Sequence, residues 1–135
     1  MYKNILVAVA LDQAHNSAAA FEVARALAAE GASITALHVL EEIPAYVAHY
    51  VPVEHAGSRR SEAEAGLKAE LGGVADVKPV VMTGHAGPTI VSYAKEHGVD
   101  CIVIASHRPG LQDYFLGSTA GRVVRHAPCA VHVTR

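Results

Sequence analysis

Gly117-Ser118-Thr119 is where residue types and spacing first suggest chemistry. A helix opening there offers backbone N–H groups without helical partners and the positive end of its dipole, while glycine permits close approach. Ser118 and Thr119 add hydroxyl donors, and Arg108, upstream in the same connection, can grip two oxygens of an anion at once. The set suits a phosphate. It equally suits an ordinary helix start with Ser118 as N-cap, so anion site and plain cap stand as alternatives. No Walker-type GxxxxGK(S/T) is present, because no lysine follows Gly117 and the stretch after the first apolar run has no glycine.

Across the expected crevice from Gly117, Leu11-Asp12-Gln13-Ala14-His15 offers Asp12 as its carboxylate, suited to ribose hydroxyls or to a solvated turn. A phosphoacceptor receiver would need an acidic cluster here and a lysine after the last strand. A flavodoxin would need a loop rich in hydroxyls and glycine. The sequence has neither. Ser106-His107 lacks the GxSxG context of a nucleophile elbow, leaving His107 as a phosphate neighbour at most. Nine histidines show neither HExxH nor CxH spacing, so no metal is expected. Cys101 and Cys129 each open an apolar run, lack CxxC spacing and read as buried, inert thiols. Tyr46, His49 and Tyr50, between Pro44 and Pro52, suggest one amphipathic turn, either packed locally or forming a lid or partner surface.

Positioning these residues requires strands that end near one another. Ile5 to Ala10 is a continuous apolar run, as in a parallel strand covered on both faces. Ser17 to Glu30 carries Phe21, Ala24, Leu27 and Ala28 at helical spacing, with Gly31 placed for a left-handed cap. The alternation continues with a strand over Ile34 to Leu40, a helix over Ser61 to Leu71 with Ser61 and Glu64 as a capping box, and a strand over Val77 to Met82. Gly72-Gly73 should end the second helix. Pro88 at a first helical position opens a helix to Glu96, closed by Gly98. Cys101 to Ala105 is a strand, Ser118 to His126 a helix stopped by Ala127-Pro128, and Ala130 to Thr134 the fifth strand. Strands and helices in strict alternation predict a doubly wound α/β domain with a parallel sheet, and ligands beyond the carboxyl ends of its strands.

With 135 residues, 51% of them hydrophobic and 18% charged, one domain spanning 1–135 is expected, with enough apolar surface to fold alone. A net charge of -2 and scattered basic residues give no footprint for nucleic acid or an anionic membrane. The apolar runs fall short of the ~20 residues that span a bilayer. Met1-Tyr2-Lys3-Asn4 leads straight into one of them without signal-peptide architecture, which reads as a cytoplasmic protein.

Val103-Ile104-Ala105-Ser106-His107, Leu116-Gly117-Ser118-Thr119-Ala120 and Val123-Val124-Arg125-His126-Ala127-Pro128-Cys129-Ala130-Val131 resemble the C-terminal signature of the universal stress protein family. Tyr2 to Val9, Leu37-His38-Val39 and Gly84 with its following helix also fall where that family has its first strand, second strand and third-strand loop. The resemblance implies a five-stranded parallel sheet in order 3-2-1-4-5, placing Asp12 and the anion loop in one crevice. It also implies ATP, with or without Mg2+, as ligand for those members that carry Gly-x2-Gly-x9-Gly-Ser/Thr.

This chain departs from that pattern. Ala105 stands at the first glycine and Arg108 at the second, and the spacing to Gly117 is one residue short; Ala-Ser-His-Arg-Pro resembles a sub-branch that keeps nucleotide binding. The family's aspartate after the first strand falls on Ala10. Asp12, two residues on, keeps the same face if the strand stays extended. By resemblance, the backbone of Val39 meets the adenine edge and Ala10 and Ala105 line base and ribose; with Asp12, Ser106, His107, Arg108, Gly117, Ser118 and Thr119 these are the expected nucleotide-binding residues. Two functions follow: a nucleotide-responsive regulatory protein that holds ATP without consuming it, or a nucleotide-free dimeric scaffold docking on a transporter or enzyme. An ATPase would need a metal-binding carboxylate, for which Asp12 and Asp113 are the candidates. A homodimer is expected through Ala130 to Thr134, an edge strand with neither lysine nor proline, whereas Lys78 and Pro79 protect the other edge.

Overall fold

The computed structural model describes residues 1–11, 17–41, 50, 53–72, 76–106 and 116–135. Ile5, Leu6 and Val7 are fully buried, and they can be because both faces of the strand that carries them are covered. That strand, β1 (Tyr2–Ala8), is central in a five-stranded sheet with β2 (Ala28–Leu40), β3 (Val77–Thr83), β4 (Cys101–Ala105) and β5 (Ala130–Thr134). Every pairing is parallel, and the order is β3-β2-β1-β4-β5, as expected.

Strand alternation sorts the core into two layers. Ile5, Val7, Val9, Ile34, Ala36, Val81, Cys101 and Val103 face α1 (Ala18–Leu27) and α2 (Val53–Leu71), meeting Phe21, Ala24, Leu67 and Leu71. Leu6, Leu37, Ile102 and Ile104 face α3 (Ala86–Glu96) and α4 (Ser118–His126), meeting Ile90, Ala94, Ala120 and Val123. The crossovers through α1 and α2 run one way from β1 and those through α3 and α4 the other. Strand order therefore reverses between β1 and β4, where a crevice must open.

Several boundaries differ from expectation. β1 spans Tyr2–Ala8 and stops two residues before Ala10: Val9 N–H still reaches the Leu37 carbonyl at 2.9 Å, but the carbonyl of Val9 is taken by the His38 ring, and the strand ladder ends. α1 stops at Leu27, because Ala28 is already extended and pairs with Tyr2. Gly31 does adopt positive φ (+76°), yet it does so within β2, where the register slips between Tyr2 and Asn4, and not as a helix cap. α2 begins at Val53, so Ser61 lies inside it and the Ser61/Glu64 capping box is not formed; Glu64 instead pairs with Arg60 one turn back at 3.2 Å. α3 begins at Ala86 with His85 as N-cap, placing Pro88 third in the first turn, where its missing N–H still costs nothing. The turn proposed at Tyr46 and His49 lies outside the described residues, and Tyr50 is exposed. Among the described residues no helix is long and apolar enough to cross a membrane.

Cys101 is buried, whereas Cys129 is only half-buried, less than expected. The two pack in opposite layers of the core, so no disulfide joins these neighbours, and burial raises both thiols above their ordinary range.

Candidate functional site

At the reversal point a cleft of about 670 Å³ opens above the carboxyl ends of β1, β2 and β4. Its floor is Ala8 to Leu11 from β1 and the turn after it, Leu37 to Val39 from β2, and Ile104 to Ser106 from β4 and the turn after it. Gly117, Ser118, Thr119 and Ala120 form one wall; Glu41, Arg59 and Ala86 form the rim opposite. Ala10, Val39, Ala105, Ser106, Gly117, Ser118 and Thr119 are thus brought together, although they come from four separate stretches of chain. Asp12, His107, Arg108 and Asp113 lie outside the described residues.

The wall begins at α4, whose N-cap is Gly117 in an extended conformation (φ -57°, ψ 155°). The expectation of Ser118 as N-cap is therefore replaced: Ser118 is the first helical residue, and among the described residues no side chain caps the helix. Gly117 N–H bonds to the Ser106 carbonyl and its own carbonyl accepts the Gly121 N–H at 2.7 Å, so the glycine is fixed from both sides. The N–H groups of Ser118, Thr119 and Ala120 have no carbonyl within the helix to bond and stand at the cleft. Ser106 holds the wall to the sheet, since its N–H also donates to the Thr134 carbonyl at 2.8 Å. Thus β4, β5 and α4 converge on one residue.

On the opposite side are residues that sequence reasoning missed. The Nδ1 of His38 lies 2.8 Å from the Val9 carbonyl, bracing the end of β1 against β2. Glu41 directs one carboxylate oxygen at the Ala86 N–H, 3.3 Å away at the start of α3, and the other at His85 Nδ1, 3.5 Å away. Arg59 reaches over from α2 and donates to the Glu41 carbonyl at 3.5 Å. Gly84, in the turn after β3, makes this junction possible: its N–H bonds to the Leu40 carbonyl at 2.8 Å, its φ is +151°, and a Cβ would lie 2.7 Å from Thr89 Oγ1. The signal for Glu41 was its place directly after β2, at the ligand-facing end of the sheet; Arg59 gave none.

The chemistry on offer is asymmetric. One end supplies free backbone N–H groups and two hydroxyls, suited to an anion, and the floor between is largely apolar, with His38 and Ser106 among its residues. The other end supplies an acceptor. Among the described residues no group of three His, Cys, Asp or Glu could hold a metal ion.

The model of the universal stress protein family matches residues 1–135. The chain belongs to this family. It is 33% identical over 146 residues to the universal stress protein A homolog 2 of Coxiella burnetii, covering 99% of this chain and 95% of that one. Among solved structures, UspA from Lactobacillus plantarum is 30% identical with a TM-score of 0.67, covering 99% and 98% of the two chains. The hypothetical protein MJ0577 is 28% identical with a TM-score of 0.76, covering 99% and 96%. Three family structures alike in fold at 19–21% identity carry adenine nucleotides: one with cAMP, one from Archaeoglobus fulgidus with dAMP and one from Arabidopsis thaliana with AMP.

Proposed function

We propose that this universal stress protein is a cytoplasmic regulatory protein that binds an adenine nucleotide, ATP in its working state, and signals by occupancy without consuming it. The observation that carries the reading is the first turn of α4, which no side chain of the described residues caps, set behind Gly117 across a largely apolar floor from the end of β2. In it the N–H groups of Ser118, Thr119 and Ala120 hold phosphate, with the hydroxyls of Ser118 and Thr119 as further donors. Ala10 and Ala105 lie against base and ribose, and Val39 presents its backbone to the base edge. Ser106 keeps wall and floor in register. Arg108 adds charge to the phosphates, His107 neighbours them, and Asp12 takes the ribose hydroxyls. Relatives of the same fold bound to AMP, dAMP and cAMP support the base and sugar of this ligand. No residue is assigned as a general base, and Mg2+ would enter only as the companion of ATP. Occupancy acts on a homodimer formed through β5.

The test is mass spectrometry of an acid extract of the purified protein, paired with thermal melting in Mg-ATP. Ligand at a hundred times its dissociation constant stabilises the fold by ~2.7 kcal/mol, several degrees for a domain of this size. An empty extract with no shift at millimolar Mg-ATP rejects nucleotide binding and leaves the dimeric scaffold that docks on a transporter or enzyme.

A further inference from the structure

Glu41 is the one carboxylate among the described residues that line the cleft, and it sits at the end away from α4. Its geometry is set in advance. The Ala86 N–H holds Oε1 at 3.3 Å and His85 lies beside Oε2 at 3.5 Å, which leaves acceptor positions on both oxygens open. Arg59, the cation of the same rim, donates to the Glu41 carbonyl, so positive and negative charge offset each other there. The α4 end has donors and, among the described residues, no carboxylate. A phosphate is therefore drawn to α4 and away from Glu41. β2 and β4 are separated by two strand spacings, about 10 Å, so a nucleotide anchored by its phosphate at α4 lays its base towards the end of β2. A carboxylate accepts hydrogen bonds and cannot donate them, so what it can recognise there is a donor on the base.

We propose that Glu41 is a specificity-determining residue that accepts a hydrogen bond from the exocyclic amino group of the bound adenine. The assignment rests on the nucleotide reading above. It adds to that reading a charged side chain that discriminates among bases, where the other polar side chains of the described floor are His38, engaged with the Val9 carbonyl, and Ser106.

The experiment is a cycle between residue and ligand, read as dissociation constants by calorimetry. AMP is compared with purine riboside 5′-monophosphate, which lacks only the amino group, on the parent protein and on Glu41→Ala. The parent should favour AMP by about tenfold, as expected for a hydrogen bond to a charged, partly solvated acceptor. In Glu41→Ala the two should bind within twofold of each other. Because each ratio is measured within one protein, a general loss of stability cancels. Glu41→Gln, which keeps a carbonyl oxygen for the amine or for Ala86, should retain more of the preference than Glu41→Ala. Equal ratios in parent and Glu41→Ala overturn the assignment while leaving nucleotide binding intact. Inosine 5′-monophosphate binding the parent as tightly as AMP, with the loss falling on it in Glu41→Ala, assigns Glu41 to the ring N1–H and also overturns it. Failure of the parent to bind any of the three removes the nucleotide reading itself.

Discussion

His38 Nδ1 stands 2.8 Å from the carbonyl oxygen of Val9, linking the two strand ends that floor the cleft. A carbonyl only accepts, so Nδ1 carries the hydrogen of this bond. The bond takes the acceptor that would have continued the β1 ladder, one residue before Ala10 and Leu11, which line the cleft.

His38→Phe keeps a ring of similar shape and removes the donor, leaving the Val9 carbonyl without its partner in a half-buried place. The expected cost is about 1–2 kcal/mol, measured by urea unfolding, with weaker adenine-nucleotide binding because the floor loses its brace. A variant as stable as the parent would show that water serves the Val9 carbonyl equally well.

The thiol of Cys101 is pushed up from 9.0 to about 11, first by burial, then by the neighbouring Cys129 and Asp100. The folded chain thus keeps a proton that the unfolded chain releases as pH passes 9. Stability present below pH 9 is therefore lost as pH rises through about 11, by roughly 3 kcal/mol at the full shift. Unfolding free energies at pH 8 and pH 10.5 should differ more for the parent than for Cys101→Ala. In the native protein Cys101 should also resist alkylation at neutral pH. Equal pH slopes in the two proteins would remove Cys101 as the cause.

Much of this was legible in the sequence because burial leaves a period. Residues 5–9 are apolar without a break, which only a strand covered on both faces accommodates, and the order of the sheet followed from the alternation of strands and helices together with the family resemblance. Helix ends were less legible. Ser61 and Glu64 match a capping pattern, but the same residues serve equally well inside a helix, and nothing between Val53 and Arg60 marks the true start by apolar spacing. At the site, Gly117 to Thr119 were readable from residue type. Arg59 was not, because it reaches the cleft only through the path of α2 over the end of β2, a fact of topology that no local pattern carries.

Arg108 stands where the family pattern has a second glycine, and its guanidinium can pair with two phosphate oxygens. Arg108→Ala should weaken ATP at least tenfold and adenosine hardly at all. Asp12→Ala should do the reverse in kind, weakening ATP and adenosine by the same factor, since both carry the ribose. Equal loss of both ligands in Arg108→Ala would move this residue from the phosphates to the base or sugar.

The last prediction concerns the outer edge of β5. Among the described residues β5 pairs with β4 along one side only, which leaves the backbone groups of its other side for a further strand. β3, the opposite edge, carries Lys78 and Pro79, which discourage pairing. Val131 and Val133 lean on the layer formed by α3 and α4 yet remain half-exposed, while Ala130 and His132 are exposed, so each face of β5 keeps surface for a partner to cover. Val124 on α4 is also exposed. A second copy related by a two-fold axis would pair antiparallel with β5 and cover the valines, an arrangement in which both copies use the same patch. Val131→Pro removes a backbone donor and Val133→Lys places a charge against the partner's apolar side. Light scattering at tens of micromolar should report a dimer for the parent and monomers for both variants, with circular dichroism unchanged in Val133→Lys to show that the fold persists. A monomeric parent, or a Val133→Lys protein that remains dimeric, places the association on another face of the domain.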